Sequence, residues 1–131
     1  MNTDNPLLDD LGIRLVDVAP GRCTFELDIE PRHLNRQGSL QGGVTATLLD
    51  AACGYAGLQA DAGAVLGHAV TVMLTISYLA GANAGCVRAT GTLTKAGRSL
   101  YFSSATLTGD SGEPIASAQG TFKRARSREE A

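Results

Sequence analysis

Histidine is nearly absent from this chain, lysine and arginine are missing from its whole middle, and no apolar run approaches the length of a membrane span. Each absence removes a class of function. With His33 and His68 as the only histidines, a histidine-rich metal centre is excluded, and no metal role is expected. Cys23, Cys53 and Cys86 are odd in number and widely spaced, which fits reduced, buried thiols better than disulfides, zinc ligands or a catalytic nucleophile. A net charge of -2 gives no basic footprint for nucleic acid. The opening MNTDNPLLDD is acidic and has neither the basic end nor the apolar centre of a secretion signal, so the expectation is a cytoplasmic protein. Internal repeats and low-complexity segments are also missing. What is present, 131 residues at 44% apolar content, describes one domain over residues 1–131 that can bury roughly two thirds of its unfolded surface.

The chain is organised around residues 33–58, HLNRQGSLQGGVTATLLDAACGYAGL. Val44, Leu48, Ala51, Tyr55 and Leu58 recur at helical steps and predict one long helix with an apolar stripe. A second stripe, Gly43, Thr47, Asp50, Gly54 and Gly57, is almost entirely small, so another backbone or a ligand can come close on that side. Asp50 is its one charged group. Three readings of Asp50 stand: a solvated surface acid, a buried acid held by structural hydrogen bonds, or a functional carboxylate. No lysine or arginine lies between Gln37 and Val87, so the helix lacks the charge lacing of a wet face. An isolated acid among small apolar residues is the kind of group that clusters at functional sites.

Gly42 and Gly43 stand where the helix should begin. The first amides of a helix have no intrahelical partner and carry the positive end of its dipole, so a glycine pair there can offer N–H groups to an oxyanion. The plain alternative is a tight turn that needs glycine dihedrals. Side-chain amides at Asn35 and Gln41 flank this turn, and the carboxylate follows two helical turns later.

The rest reads as sheet. Residues 4–11 fit a short helix started by Asn5-Pro6, and residues 13–18 a first strand. Residues 22–30 alternate, with Cys23, Phe25, Leu27 and Ile29 on a buried face and Thr24, Glu26, Asp28 and Glu30 on a wet one. Residues 61–67 form a glycine-alanine connection. In residues 68–79 the alternation puts Val70, Val72, Leu74, Ile76 and Tyr78 on one side and Thr71, Met73, Thr75 and Ser77 on the other. Strands are expected at 86–95, 99–108 and 115–123, with turns at 81–85, 96–97 and 109–112. Turns this short imply antiparallel neighbours, and Arg124 opens a charged, frayed tail to residue 131. The fold class is α+β, one long helix on an antiparallel sheet of five to six strands. One helix cannot cover such a sheet and close its edge, so self-association is expected.

The pattern in residues 33–57, an asparagine, a glycine, a Gly-Gly pair opening a helix and an acid seven residues on, resembles the signature of hotdog-fold acyl-CoA thioesterases of the PaaI-like, phenylacetic-acid-degradation group. The resemblance extends through LGIRLVDVAPGRC, VTVMLTISYLAGANAG and KAGRSLYFSSATLTGDSGEPIASAQGTF. Gln41 stands where that family usually has histidine, and glutamine can share hydrogen bonds but takes up no proton.

The resemblance implies a hotdog fold and hydrolysis of an acyl-CoA to free acid and CoA. It also implies a homodimer or homotetramer whose sites lie at the dimer interface, with Asn35, Gln41 and Gly42 of one chain facing Asp50 and Thr71 of the other. On this reading the Gly42 amide polarises the carbonyl and Asn35 or Gln41 orients water or substrate. Asp50 acts as general base or as nucleophile. Thr71, on its own a sheet-propensity choice, would help place the water. Gly43, Leu40, Tyr55, Leu58 and Met73 are the pocket candidates, open to aromatic or medium aliphatic acyl groups. Lys95, Gly97 and Arg98 read either as an ordinary exposed hairpin or as contacts for CoA phosphates. No cofactor is implied beyond coenzyme A as part of the substrate. A non-catalytic acyl-CoA binder and a hotdog dehydratase or hydratase are the alternatives.

Overall fold

A computed structural model of the chain describes residues 3–58 and 67–125. Asn5 caps helix α1 (Pro6–Leu11) by accepting from the Leu7 and Leu8 amides, with Pro6 in the first turn. Strands β1 (Arg14–Ala19) and β2 (Arg22–Asp28) form a hairpin, a single 3₁₀ turn follows at Pro31–His33, and helix α2 runs Gly42–Ala56. Strands β3 (Ala69–Tyr78), β4 (Cys86–Ala96), β5 (Leu100–Thr108) and β6 (Pro114–Arg124) complete the sequence of elements. The expected helix and six strands are therefore present. Residues 61–66 of the expected connection and 126–131 of the expected tail lie outside the described residues.

All six strands join one antiparallel sheet in the order β1-β2-β4-β5-β6-β3. Helix α2 crosses one face and touches β2 through β6. The Val44–Leu48–Ala51–Leu58 stripe is buried as expected, with Tyr55 half-buried, while Leu49, Ala52, Cys53 and Ala56 are sealed completely. Contact is close enough that a Cβ at Gly91 of β4 would lie 2.0 Å from the Ala52 carbonyl oxygen, so the helix backbone rests directly on that strand. Phe25, Leu27, Val87, Tyr101 and Leu107 fill the layer between helix and sheet.

Four expectations are corrected. The turn after β3 does not join neighbours: β3 pairs with β6, and β4 lies three strands away. Seven residues can span more than 20 Å when extended, enough to cross the end of the sheet, where Leu79 and Ala80 both donate to the Ile115 carbonyl and Ala82 accepts from Leu40. The alternation in β3 is broken by a bulge: Thr71 pairs with Phe122 and Met73 with Thr121, leaving Val72 as the extra residue. Thr71 therefore shares the helix side with Leu74, Ile76 and Tyr78, while Val70 and Val72 are exposed. Thr24 is buried instead of wet, because β2 lies between two strands and the Thr24 hydroxyl meets that of Thr90 at 3.4 Å. Arg124 ends β6 instead of opening a solvated tail.

Candidate active site

Helix α2 presents Asp50, half-buried, toward β3, and the bulge at Val72 turns Thr71 to meet it. The Thr71 hydroxyl donates to Asp50 Oδ1 at 2.7 Å, which leaves Oδ2 for another partner. Both residues open into a cleft of about 240 Å³ between α1, α2 and β3, walled by Leu7, Leu8, Thr47, Ala51, Gly54, Tyr55, Leu58, Tyr101 and Phe122. Apolar walls with one carboxylate and one hydroxyl converging on them are what a small-molecule site requires. Tyr55 donates to Asp4 at 3.1 Å and meets Phe25 edge-on; burial first, then the Asp4 charge, pushes its phenol up to about 12. Cys53, beside Asp50, is also pushed up to about 12 by burial and by that carboxylate, so it stays a protonated thiol.

The small stripe is used for close packing at this end of the helix. A Cβ at Gly57 would lie 2.0 Å from the Tyr101 ring, and one at Gly54 would lie 3.2 Å from Phe122. Tyr101, its phenol raised to about 12 by burial, donates to the Gly54 carbonyl at 2.5 Å and stacks on Phe122. Arg124 lies 4.7 Å over the Tyr101 ring and donates to the Gly57 carbonyl, a cation at the negative end of the helix.

The other end of α2 is built differently. The Gln41 carbonyl accepts from the Val44 and Thr45 amides, and the Gln41 amide donates to His33. The amides of Gly42 and Gly43 meet no acceptor among the described residues. Neither glycine has positive φ, so turn geometry does not require them. Among the described residues, a Cβ at Gly43 would meet nothing within 4 Å, and one at Gly42 only the Tyr78 side chain at ordinary contact. Gln41 is exposed and makes no side-chain cap bond. Asn35 Oδ1 accepts from the Gln37 and Ser39 amides, which shapes the preceding loop and leaves Nδ2 as its donor. Leu40 is buried at this end and is not part of the Asp50 cleft.

Two groups thus form within one chain, Asp50, Thr71, Tyr55 and Leu58 at the cleft and Asn35, Gln41, Gly42 and Gly43 at the helix start. Gly42 and Asp50 are eight residues apart, which is about 12 Å along a helix axis. Met73 joins neither group: the bulge puts it on the opposite face, beside Thr75, Thr94 and Phe102. Lys95 pairs with Phe102 on that same outer face. A Cβ at Gly97 would lie 2.6 Å from the Leu100 oxygen, so the tight hairpin itself requires glycine there. The hairpin sits at the Thr71 end of the sheet, where Ser99 accepts from Arg124. His33 is fully buried, its Nδ1 accepting from the Glu30 amide and its Nε2–H donating to the Leu11 carbonyl. Both ring nitrogens of His33 are therefore occupied in holding the fold, whereas His68 is exposed beside β3.

Sequence reasoning missed Leu7 and Leu8, Tyr101, Phe122, Arg124 and Tyr78, whose hydroxyl donates to the Gly42 carbonyl at 2.8 Å. The small stripe signalled that something large packs there without saying what.

A model of the thioesterase superfamily matches residues 37–116, from the loop before α2 into β6. Human acyl-coenzyme A thioesterase 13 is 38% identical over 97 residues, covering 73% of this chain and 67% of that protein. Among solved structures, zebrafish thioesterase superfamily member 2 superposes with a TM-score of 0.81 at 31% identity, over 93% of this chain and 89% of that one. The Escherichia coli PaaI protein, from the phenylacetic acid degradation operon, gives a TM-score of 0.85 at 22% identity, over 94% of this chain and 86% of that one, a likeness of fold. With a family match through the glycine pair, Asp50 and Thr71, and the helix-on-sheet architecture shared with these structures, the chain belongs to the thioesterase superfamily as a hotdog-fold thioester hydrolase.

Proposed function

We propose that the protein hydrolyses an acyl-CoA to the free acid and CoA, at sites shared between two protomers. The observation that carries this reading is the Asp50–Thr71 pair at the mouth of an apolar cleft, about 12 Å from the free amides of the same helix. A thioester carbon and its attacking water are in contact, so groups that far apart in one chain cannot both serve them. Two chains joined antiparallel along β3 can bring the helix start of one to the carboxylate of the other. Val70, Val72, Tyr78 and Leu79 leave that edge exposed and apolar, the condition that strand pairing relieves.

In this arrangement the Gly42 amide, at the positive end of α2, stabilises the oxyanion as the carbonyl is attacked. Asp50 takes the proton of the water through Oδ2 while Thr71 holds Oδ1, with attack by the carboxylate itself as the alternative course. The Asn35 Nδ2 group or the Gln41 amide orients water or carbonyl, and the acyl group lies along Ala51, Tyr55 and Leu58. Lys95 and Arg98 would meet CoA phosphates from the hairpin. Hydrolysis is redox-neutral, so the proposal uses no cofactor, and coenzyme A enters as part of the substrate. No helix among the described residues is long and apolar enough to cross a membrane, and a cytoplasmic location is the corresponding proposal.

Thiol release from a panel of aryl-acetyl and medium-chain acyl-CoA esters tests the substrate class, run beside hydration of an enoyl-CoA. Thiol release with no hydration is the expected result. Hydration without thiol release would overturn it.

A further inference from the structure

We infer that Tyr78 is a positioning residue that aims the free amides at the start of α2, most directly the Gly43 N–H, an inference that rests on the oxyanion role proposed for this helix start. Two consecutive glycines have no Cβ to restrict their dihedrals, yet an oxyanion donor must be fixed before the charge develops. The peptide units on both sides of Gly42 are held by their carbonyls. The Gln41 carbonyl accepts from Val44 at 2.9 Å and Thr45 at 3.2 Å, and the Gly42 carbonyl accepts from the Tyr78 hydroxyl at 2.8 Å. In a trans peptide the N–H points opposite to the C=O. Fixing these two carbonyls therefore aims the Gly42 and Gly43 N–H groups out of the helix start, where neither meets an acceptor among the described residues.

Tyr78 is built to hold such a clamp. It is the last residue of β3 and pairs with Ala116, and the next residue, Leu79, donates to the Ile115 carbonyl at 2.8 Å, so its backbone is anchored on β6. The ring lies against Gly42, with its atoms 3.5 to 3.6 Å from where a Cβ would stand. A hydrogen bond into the Gly42 carbonyl also polarises the Gly42–Gly43 peptide and strengthens its N–H as a donor.

Tyr78→Phe keeps the ring and removes only the hydroxyl. It should lower kcat on the order of tenfold and leave KM within about twofold, with unchanged melting temperature and oligomeric state. The second arm is Gly43→Pro, which deletes the amide of the peptide unit that Tyr78 holds, at a first-turn position whose amide has no intrahelical partner. In that background Tyr78→Phe should cost less than about threefold, because the group it aims is gone. An unchanged kcat in Tyr78→Phe, a loss confined to KM, or the same fractional loss in both backgrounds would overturn the role of Tyr78 alone. A Gly43→Pro enzyme with full kcat would overturn the role of Tyr78, and full kcat in Gly42→Pro as well would overturn the oxyanion reading with it.

Discussion

Helix α2 carries two pairs of glycines for different reasons. Near its C-terminus, Gly57 is demanded by the chain itself, since a Cβ would stand 2.0 Å from Tyr101, and Gly54 is packed tightly, at 3.2 Å from Phe122. At its N-terminus, neither backbone conformation nor a neighbour among the described residues demands Gly42 and Gly43. One pair is explained by packing already visible, and the other leaves open space and free amides, which the proposed site would use. Tyr101, Phe122 and Arg124 close the packed end, while at the open one the Tyr78 hydroxyl meets the Gly42 carbonyl.

Substitutions sharpen this contrast. The largest effect is expected at the carboxylate between the two ends: Asp50→Asn keeps shape and hydrogen-bonding atoms but removes the proton acceptor, so kcat should fall about 10²–10⁴-fold with KM little changed. An equal rate in steady-state assays would remove Asp50 from the mechanism. At the open end, Gly42→Pro should lower kcat about 10²–10³-fold while thermal unfolding stays at or slightly above the wild-type temperature. At the packed end the pattern should invert. Gly57→Ala forces a methyl into the Tyr101 ring, so denaturant titration should show a loss of about 1–3 kcal/mol, with near-normal turnover in the fraction that stays folded. Gly43→Ala should gain up to about 1 kcal/mol of helix stability, so lost activity there would report a partner or substrate in the space beside it.

The last expectation concerns pH. Burial raises the thiols of Cys23 and Cys53 from 9.0, and the phenol of Tyr101 from 10.0, to about 12. Groups whose pKa is higher in the folded state favour folding below their unfolded pKa, and that contribution is lost as pH rises through the folded value. Stability should therefore be flat up to about pH 9 and decline from there toward 12, by circular dichroism in alkaline titration. A decline beginning near neutrality would contradict the sealed core on the packed side.

Much of this contrast could be read from the chain, for local reasons. Val44, Leu48, Ala51 and Leu58 repeat at the helical period, Cys23, Phe25 and Leu27 alternate, and Asp50 stands alone in a stretch without cations, so the helix, the strands and the acid were legible. Thr71 beside Asp50 was implied by family resemblance but not by alternation, which put Thr71 on the side of Met73. A one-residue bulge at Val72 breaks period-two patterning without a signal of its own. The position of β3 beside β6 was also hidden, because a seven-residue crossing and a turn between neighbours have similar compositions. Arg124 looked like tail because its partners, Gly57 and Tyr101, are remote in sequence. Tyr78 was read only as a sheet residue for the same reason.

The spacing of about 12 Å between Gly42 and Asp50 has a consequence for inheritance as much as for chemistry. If each site takes its amide from one chain and its carboxylate from the other, an Asp50→Asn chain still donates a sound helix start and a Gly42→Pro chain a sound carboxylate. Each variant alone is inert, yet every hybrid pair contains one complete site. Random mixing makes about half the pairs hybrid, and half the sites in each hybrid are sound, so the mixture should recover about a quarter of wild-type activity. Two defective alleles expressed in one cell would complement each other, whereas two chains damaged at the same end would not.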